Sequence, residues 1–205
     1  MLVIISGPSG SGKGTVVKGL CADPKFALSI SVTTRAPRAG ETDGADYFFR
    51  TEREFAGLRE NGELLEHAVY VGNFYGTPRN YVEEQIGKGK VVVLEIDVQG
   101  ALQVREKFRE AVLVFLLPPS MAELEARLRA RGDVDAVTME RRLKKAKEEL
   151  ALVGRYDYLV VNDRVSRAVG DINSIVVAEQ RKPFRMASHV AGFAAETNYA
   201  NIQEF

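Results

Sequence analysis

The sequence predicts an α/β fold built around a parallel sheet of five strands, and three observations lead to that prediction. First, residues 2–6 (LVIIS) and 91–97 (VVVLEID) are unbroken apolar runs rich in β-branched residues. Such runs are typical of strands buried on both faces of a parallel sheet. Second, similar runs recur along the chain with helical patterns between them, which is the alternation found in α/β folds. Third, 45% of the residues are hydrophobic and 27% are charged, as in soluble globular proteins.

Taken in chain order, the apolar runs predict strands at 2–6, 27–31, 91–97, 112–117 and 158–162. The run at 27–31 (ALSIS) is the weakest of them because it is short and contains two serines. The segments between the runs have helical periodicity, and they predict helices over 13–22, 98–108, 120–131, 135–153 and 164–181. We assign 1–31, 91–122 and 147–181 to one core.

Two stretches interrupt this alternation. Residues 32–90 begin with many turn signals and continue with short strand-like pieces, which predicts a small α+β insertion. Residues 132–137 (GDVDAV) form a polar break between two arginine-rich helical stretches. This break favours a mobile helical lid, which we place at about 123–146.

The segment 182–205 stands apart from the rest of the chain. It starts next to a proline and has little helical amphipathicity, so no helix is predicted there. A peripheral or disordered terminus is one interpretation. The other is docking on a partner subunit in a homodimer, through the apolar residues Phe184, Met186, Val190 and Phe193.

Bulk properties exclude several classes of function. A chain of 205 residues fits one domain with a substantial core. Its formal net charge of zero argues against a protein that wraps nucleic acid. The single cysteine, Cys21, cannot form an intrachain disulfide. No apolar run reaches transmembrane length and no signal peptide is recognisable, so we expect a cytoplasmic protein without a membrane partner.

A phosphate-binding loop is the most specific motif. Residues 7–15 (GPSGSGKGT) fit the pattern G-x-x-x-x-G-K-[ST] except that Gly14 replaces the final hydroxyl residue. The motif follows a predicted strand and opens a predicted helix, as the pattern requires. Its backbone N–H groups and the helix N-terminus attract phosphate, and Lys13 adds a positive charge. The residues predicted to bind the donor nucleotide here are Gly7, Pro8, Ser9, Gly10, Ser11, Gly12, Lys13, Gly14 and Thr15.

Arginines supply further positive charge for phosphoryl transfer, which depends mainly on positioning and on cations around the moving group. Arg35 and Arg38 open the insertion, and the lid carries Arg127, Arg129, Arg131, Arg141 and Arg142. Arg127 and Arg131 share a helix face because they are four residues apart. For each lid arginine, a solvated helix surface is the alternative interpretation.

At this point the motifs resemble those of guanylate kinases, nucleoside monophosphate kinases with a phosphate loop. The matching stretches occur in order as far as about residue 163: SGPSGSGKGT, SVTTRAPRAGETDGADYFF, LLEHAVYVGNFYGTP, LEIDVQGA, FLLPPS, RLRARG, RRL and YDYLVVND. The resemblance implies a three-layer kinase core with a nucleoside-monophosphate-binding insertion and a lid. It also implies transfer of the γ-phosphate of ATP to GMP or dGMP, with Mg²⁺, in purine nucleotide metabolism.

The resemblance implies a role for each matching residue. Lys13, Arg38, Arg131 and Arg142 would stabilise the transition state, and Arg127 and Asn162 would lie beside ATP. The residues implied to bind GMP are Ser31, Arg35, Arg38, Tyr47, Glu66, Tyr75, Thr77, Glu95 and Asp97. Asp97 would lie near the hydrated Mg²⁺, which phosphates and waters would mostly hold, so no direct metal ligand is assigned.

The chemistry of guanine explains why a carboxylate suits position 66. Guanine offers N1–H and its 2-amino group as adjacent donors, and the Glu66 carboxylate can accept from both. Ser31 or Thr77 can donate to O6. Adenine would leave Glu66 facing a lone pair, and polar matching of this kind discriminates by roughly 10⁴.

Two alternatives remain open at the level of sequence. One is a binding module, since guanylate-kinase-like domains of membrane-associated scaffolds keep the fold and bind peptides in the nucleotide groove. The intact Lys13 and arginines argue against it. The other is a related kinase that phosphorylates AMP, a pyrimidine monophosphate or a phosphorylated sugar.

Overall fold

The computed structural model describes residues 1–70, 72–130 and 136–197. The strands are β1 (Leu2–Ser6), β2 (Phe26–Leu28), β3 (Val32–Thr33), β4 (Phe48–Phe49), β5 (Leu64–Tyr70), β6 (Asn73–Pro78), β7 (Val91–Glu95), β8 (Val112–Leu117) and β9 (Tyr158–Val161). The helices are α1 (Lys13–Leu20), α2 (Glu52–Glu60), α3 (Arg79–Gly87), α4 (Val98–Lys107), α5 (Met121–Ala130), α6 (Ala136–Leu150), α7 (Val165–Gln180) and α8 (Ala187–Thr197).

The main sheet has five parallel strands in the order β2-β7-β1-β8-β9, which confirms the predicted fold class. The weak run at 27–31 forms a strand only as far as Leu28. The Ser29 N–H still donates to the Val93 oxygen of β7, and Ser29, Ile30 and Ser31 line the cleft described below. β7 likewise ends at Glu95, and Asp97 caps the next helix instead of extending the strand.

Both faces of β1 are buried, which explains its unbroken apolar sequence. Val3 and Ile5 pack on the side of α1 and α7, together with Val17 and Ile172. Leu2 and Ile4 face the other side, where they pack against α4 through Ala101 and Val104. Helices therefore cover the sheet on both faces, and the core has three layers.

A second sheet, of four strands in the order β4-β3-β6-β5, comes from the segment after residue 31. Its small core contains Val32, Phe55 and Leu64. Thr51 begins α2 with a capping box, since its hydroxyl accepts from the Glu54 backbone N–H while the Glu54 side chain accepts from the Thr51 N–H. The turn-rich sequence of residues 32–90 therefore folds around its own apolar cluster.

Helices α5 and α6 pack against each other through Leu124, Leu128, Met139 and Ala146. Between them, residues 131–135 lie outside the described residues. Most of the predicted polar break falls there, and so does Arg131, one of the predicted catalytic cations.

After α7 the chain continues as a 3₁₀ helix (Pro183–Met186) and then as α8, so the prediction of no helix in this segment is wrong. Alanine has the highest helix propensity, and α8 contains four alanines, so a helix can form there without a strong apolar stripe. Lys182 and Arg185 pair with the buried Glu179 and tie the 3₁₀ helix to α7. The predicted docking of this segment on a partner stays a prediction. Within the three described ranges, no helix is long and apolar enough to cross a membrane.

Candidate active site

A cleft of about 410 Å³ lies at the carboxyl ends of β1 and β7, between the phosphate loop, the second sheet and α6. The position agrees with the rule that ligands bind beyond the carboxyl ends of parallel strands. The predicted site residues that line it are Gly7, Ser9, Gly10, Gly12, Lys13, Gly14, Ser31, Arg35, Arg38, Tyr47, Glu66, Tyr75, Glu95, Asp97 and Arg142. Predicted residues that are described but do not line it are Pro8, Ser11, Thr15, Thr77, Arg127 and Asn162.

Among the glycines of the phosphate loop, Gly7 and Gly12 are needed for different reasons. At Gly7, with φ 142°, an added Cβ would lie 2.3 Å from the backbone oxygen of Leu116. At Gly12, with φ 90°, the chain takes the left-handed conformation and α1 begins at the next residue. The Lys13 ammonium folds back over the loop, where it donates to the Gly7 oxygen at 2.6 Å and to the Pro8 oxygen at 3.1 Å.

Arg127 and Asn162 support the loop from behind. The Asn162 amide donates to the Ser11 oxygen at 2.8 Å, and Asn162 is buried. Arg127 donates to the Ser11 oxygen at 3.4 Å and to the Asn162 oxygen at 3.0 Å, while Glu123 holds its Nε at 2.8 Å. An added Cβ at Gly12 would lie 2.4 Å from the Asn162 Nδ2. Both side chains thus shape the loop backbone, beside the place predicted for ATP.

The four residues predicted to clamp the GMP phosphate lie together: Tyr75 is on β6, and the other three are in the loop between β3 and β4. The Arg35 guanidinium lies 5.3 Å from the Tyr47 ring centre, and the Tyr47 and Tyr75 rings are 5.9 Å apart. Glu41 organises the group, because it pairs with Arg35 at 2.8 Å and accepts from the Arg38 backbone N–H at 2.7 Å. Burial, as the largest cause, raises the pKa of the Tyr47 hydroxyl.

Glu66 is a buried carboxylate at a β-bulge. The β5–β6 pairing shifts register between Leu64 and His67, so that two β5 residues lie opposite Thr77. The Thr77 hydroxyl donates to the Glu66 Oε1 at 2.6 Å. Burial raises the pKa of Glu66 to about 7, although the Thr77 bond opposes that shift. Since the single Thr77 hydroxyl proton is used here, Ser31 is the member of the predicted O6-donor pair that lines the cleft.

Acidic and basic groups from α4 and α6 complete the cleft. Asp97 caps α4 by accepting from the Gly100 N–H at 2.8 Å. On α6, Arg142 and Lys145 line the cleft together with Glu149, and Lys145 lies 3.8 Å from Glu149. Burial raises the pKa of the Glu149 carboxyl, while Lys145 and Lys13 oppose that shift.

Comparison with known proteins decides the family. The family model for guanylate kinase matches residues 1–179. The chain belongs to the guanylate kinase family.

Individual guanylate kinases extend the match beyond that model. The chain is 48% identical to the guanylate kinase of Streptococcus agalactiae serotype III over 200 residues, which is 97% of this chain and 96% of the relative. It is 51% identical to that of Bacillus subtilis, over 91% of this chain and 93% of the relative. The crystal structure of guanylate kinase from Anaplasma phagocytophilum superposes with a TM-score of 0.74 at 40% identity, over 90% of this chain and 88% of that one. The sequence resemblance is thus confirmed, and the 200-residue match reaches past Arg181.

The sequence did not predict several residues that line the guanylate kinase cleft, among them the charged residues Glu41, Lys145 and Glu149. A signal for the last two was present, because they follow Arg142 at spacings of three and seven and so share its helix face. Glu41 carried no such signal, since it lies in an irregular turn whose conformation is not periodic. By contrast, Arg129 and Arg141 are exposed on the lid helices and do not line the cleft.

Proposed function

We propose that the enzyme transfers the γ-phosphate of ATP to GMP or dGMP, giving ADP and GDP or dGDP, in purine nucleotide metabolism and GMP recycling. One observation carries the choice of acceptor: a buried carboxylate, Glu66, faces the same cleft as the phosphate loop. Membership of the guanylate kinase family supports the same reaction.

On the donor side, the phosphates of ATP would bind the loop N–H groups and the N-terminus of α1. Lys13 already lies within this loop, and it would exchange the two loop oxygens for phosphate oxygens. Arg38, in the loop after β3, and Arg142, on α6, bring two further cations to the cleft. Arg131 is assigned to the same task by its place in the motif alone. Because the attacking oxygen of GMP is already anionic, no general base is required.

On the acceptor side, the Glu66 carboxylate would accept from guanine N1–H and the 2-amino group, while Ser31 would donate to O6. Arg35 with Arg38, and Tyr47 with Tyr75, would hold the phosphate. Closing the insertion and the lid over both substrates would exclude water, which would otherwise hydrolyse ATP.

The residues of the cleft fit a magnesium ion that is held chiefly by substrate. Among the described residues, no three His, Cys, Asp or Glu side chains are close enough to hold a metal by themselves. Mg²⁺ usually keeps several waters and binds through one or two carboxylates and substrate phosphates. Asp97 lines the cleft and could reach such an ion through water. When bound, the ion neutralises charge on the phosphates.

Replacing Gly14 with serine tests whether the missing hydroxyl matters. An added Cβ at Gly14 would lie 3.5 Å from both carboxylate oxygens of Glu95, an ordinary contact, so the variant Gly14→Ser should fold. We expect kcat to stay within about threefold of the parent, because phosphates and water can hold the ion without a protein hydroxyl. Steady-state kinetics over a Mg²⁺ titration would measure this. A loss of tenfold or more would show that the reaction requires an unobstructed backbone at position 14.

The acceptor is tested by comparing kcat/KM for GMP, dGMP, AMP and UMP in an assay coupled to ADP release. We expect GMP and dGMP to be used and AMP to be poorer by roughly 10⁴, because adenine leaves Glu66 unpaired. A preference for AMP would refute the base-recognition argument. Absence of ADP release with every acceptor would favour the binding-module alternative.

We further propose that the enzyme acts in the cytoplasm on small-molecule substrates alone, without nucleic acid or membrane partners. Zero formal net charge supports the first exclusion. A homodimer through the segment after α7 is kept as a proposal, since Phe184 is 41% exposed there. Analytical ultracentrifugation of the parent and of Phe184→Ser would test it by comparing their oligomeric states.

A further inference from the structure

β5 is the edge strand of the second sheet, and α4 lies along its open side. An edge strand normally leaves backbone donors and acceptors without a sheet partner. Here α4 supplies partners on both sides of Glu66. The Lys107 ammonium donates to the Leu65 oxygen at 2.8 Å, and the Gln103 Oε1 accepts from the His67 N–H at 3.3 Å.

The same face of α4 also meets the Glu66 carboxylate. Gly100, Gln103 and Lys107 are spaced by three and four residues, so they lie along one helix face. An added Cβ at Gly100 would lie 2.8 Å from the Glu66 Oε2. The absence of a side chain at Gly100 therefore provides the space in which the carboxylate lies.

We infer that this face of α4, formed by Gly100, Gln103 and Lys107, is a positioning element that aims the Glu66 carboxylate at guanine. Lys107 and Gln103 fix the backbone before and after Glu66, and Gly100 leaves room for its side chain. The inference rests on the guanine-reading role proposed for Glu66. None of the three residues needs to touch GMP.

The arrangement also sets the electrostatic surroundings of Glu66. Asp97, at the start of α4, raises the pKa of Glu66, and Lys107, at its end, lowers it. Lys107 therefore favours the ionised form that can accept from both guanine donors. A residue with a purely structural role would have no reason to change the pH dependence of GMP binding.

The first test is the variant Lys107→Met, with Lys107→Arg as the conservative variant and Lys88→Met, at an exposed lysine of the same chain, as the control. We expect Lys107→Met to raise KM for GMP several-fold at pH 7, because a higher pKa leaves less of the Glu66 carboxyl ionised, with kcat and KM for ATP almost unchanged. The acid limb of kcat/KM for GMP should move to higher pH, because the free enzyme's groups set that limb. Lys107→Arg should restore both. The phosphate of GMP titrates in the same way with every variant, so a difference between their pH profiles arises from the protein.

The second test is Gly100→Ala, with Gly170→Ala as the matched control, because no described atom lies within 4 Å of an added Cβ at Gly170. Both changes remove a glycine from a helix, but only the first crowds Glu66. We expect Gly100→Ala to raise KM for GMP and to reduce the preference for GMP over AMP, and Gly170→Ala to change neither.

Glu66→Gln, assayed in parallel, separates failure of the inference from failure of the proposed role. If Glu66→Gln weakens GMP selectivity while Lys107→Met and Gly100→Ala leave KM for GMP and its pH profile unchanged, the positioning role is refuted. If Glu66→Gln itself leaves selectivity unchanged, Glu66 is not the guanine reader and the proposed role fails. If Lys107→Met lowers kcat and raises both KM values equally, α4 has only a general packing role and the inference is refuted.

Discussion

Replacing Lys13 with methionine should leave a folded protein that has lost about 10³-fold or more in kcat. Electrostatic groups aimed at developing charge commonly contribute factors of about 10²–10³ each, and phosphoryl transfer depends on them almost entirely. Lys13 brings its charge into the phosphate loop at the first residue of α1. Methionine keeps the unbranched chain and the helix propensity but removes the ammonium group.

The matched control is Lys18→Met, since Lys18 lies on the same helix but is exposed. That variant should keep the parent kcat. Thermal unfolding of both variants would establish that each is folded. A folded Lys13→Met protein with full turnover would refute the proposed mechanism, whatever the acceptor.

The strands of the core sheet can be predicted from sequence because each is marked by a run of consecutive apolar residues. β1 is an unbroken apolar run because Val3 and Ile4 are buried on opposite faces of the sheet. Burial on both faces is therefore visible in the local sequence itself. The same holds for the phosphate loop, where four glycines and one lysine fall within nine consecutive positions.

Contacts between distant segments could not be predicted in this way. Nothing in the sequence around Asn162 indicates that its amide supports the Ser11 oxygen, 151 residues away. Similarly, the position of Lys107 at the end of α4 predicts only a favourable interaction of its charge with the helix C-terminus. In the structure its ammonium donates instead to the Leu65 oxygen of β5. For α8 the reason is different: an alanine-rich helix can form without an apolar stripe, so hydrophobic periodicity does not predict it.

Replacing Glu66 with glutamine should weaken GMP use and stabilise the empty enzyme above pH 7. The amide offers one acceptor and turns an N–H toward the guanine donors, so we expect kcat/KM for GMP to fall by roughly 10²–10³. The kcat/KM for AMP should fall much less, so the ratio of kcat/KM for GMP to that for AMP should decrease. Comparing kcat/KM for GMP and AMP in both proteins would measure this, with Glu60→Gln, at an exposed carboxylate, as the control.

The stability effect follows from the pKa of Glu66, which burial raises from 4.5 to about 7. Between these values the folded protein holds a proton that the unfolded chain has lost, so the free energy of unfolding falls as pH rises through this window. Above pH 7 the buried carboxylate costs roughly 3 kcal/mol, and below pH 4.5 it costs nothing. Glutamine removes the titration, so its advantage over the parent should grow from pH 4.5 to pH 7 and then level off. Denaturant unfolding across that range would measure it, and an advantage independent of pH would contradict the burial argument. Saturating GMP should reduce the stability difference between Glu66→Gln and the parent, because guanine N1–H and the 2-amino group would donate to the Glu66 carboxylate.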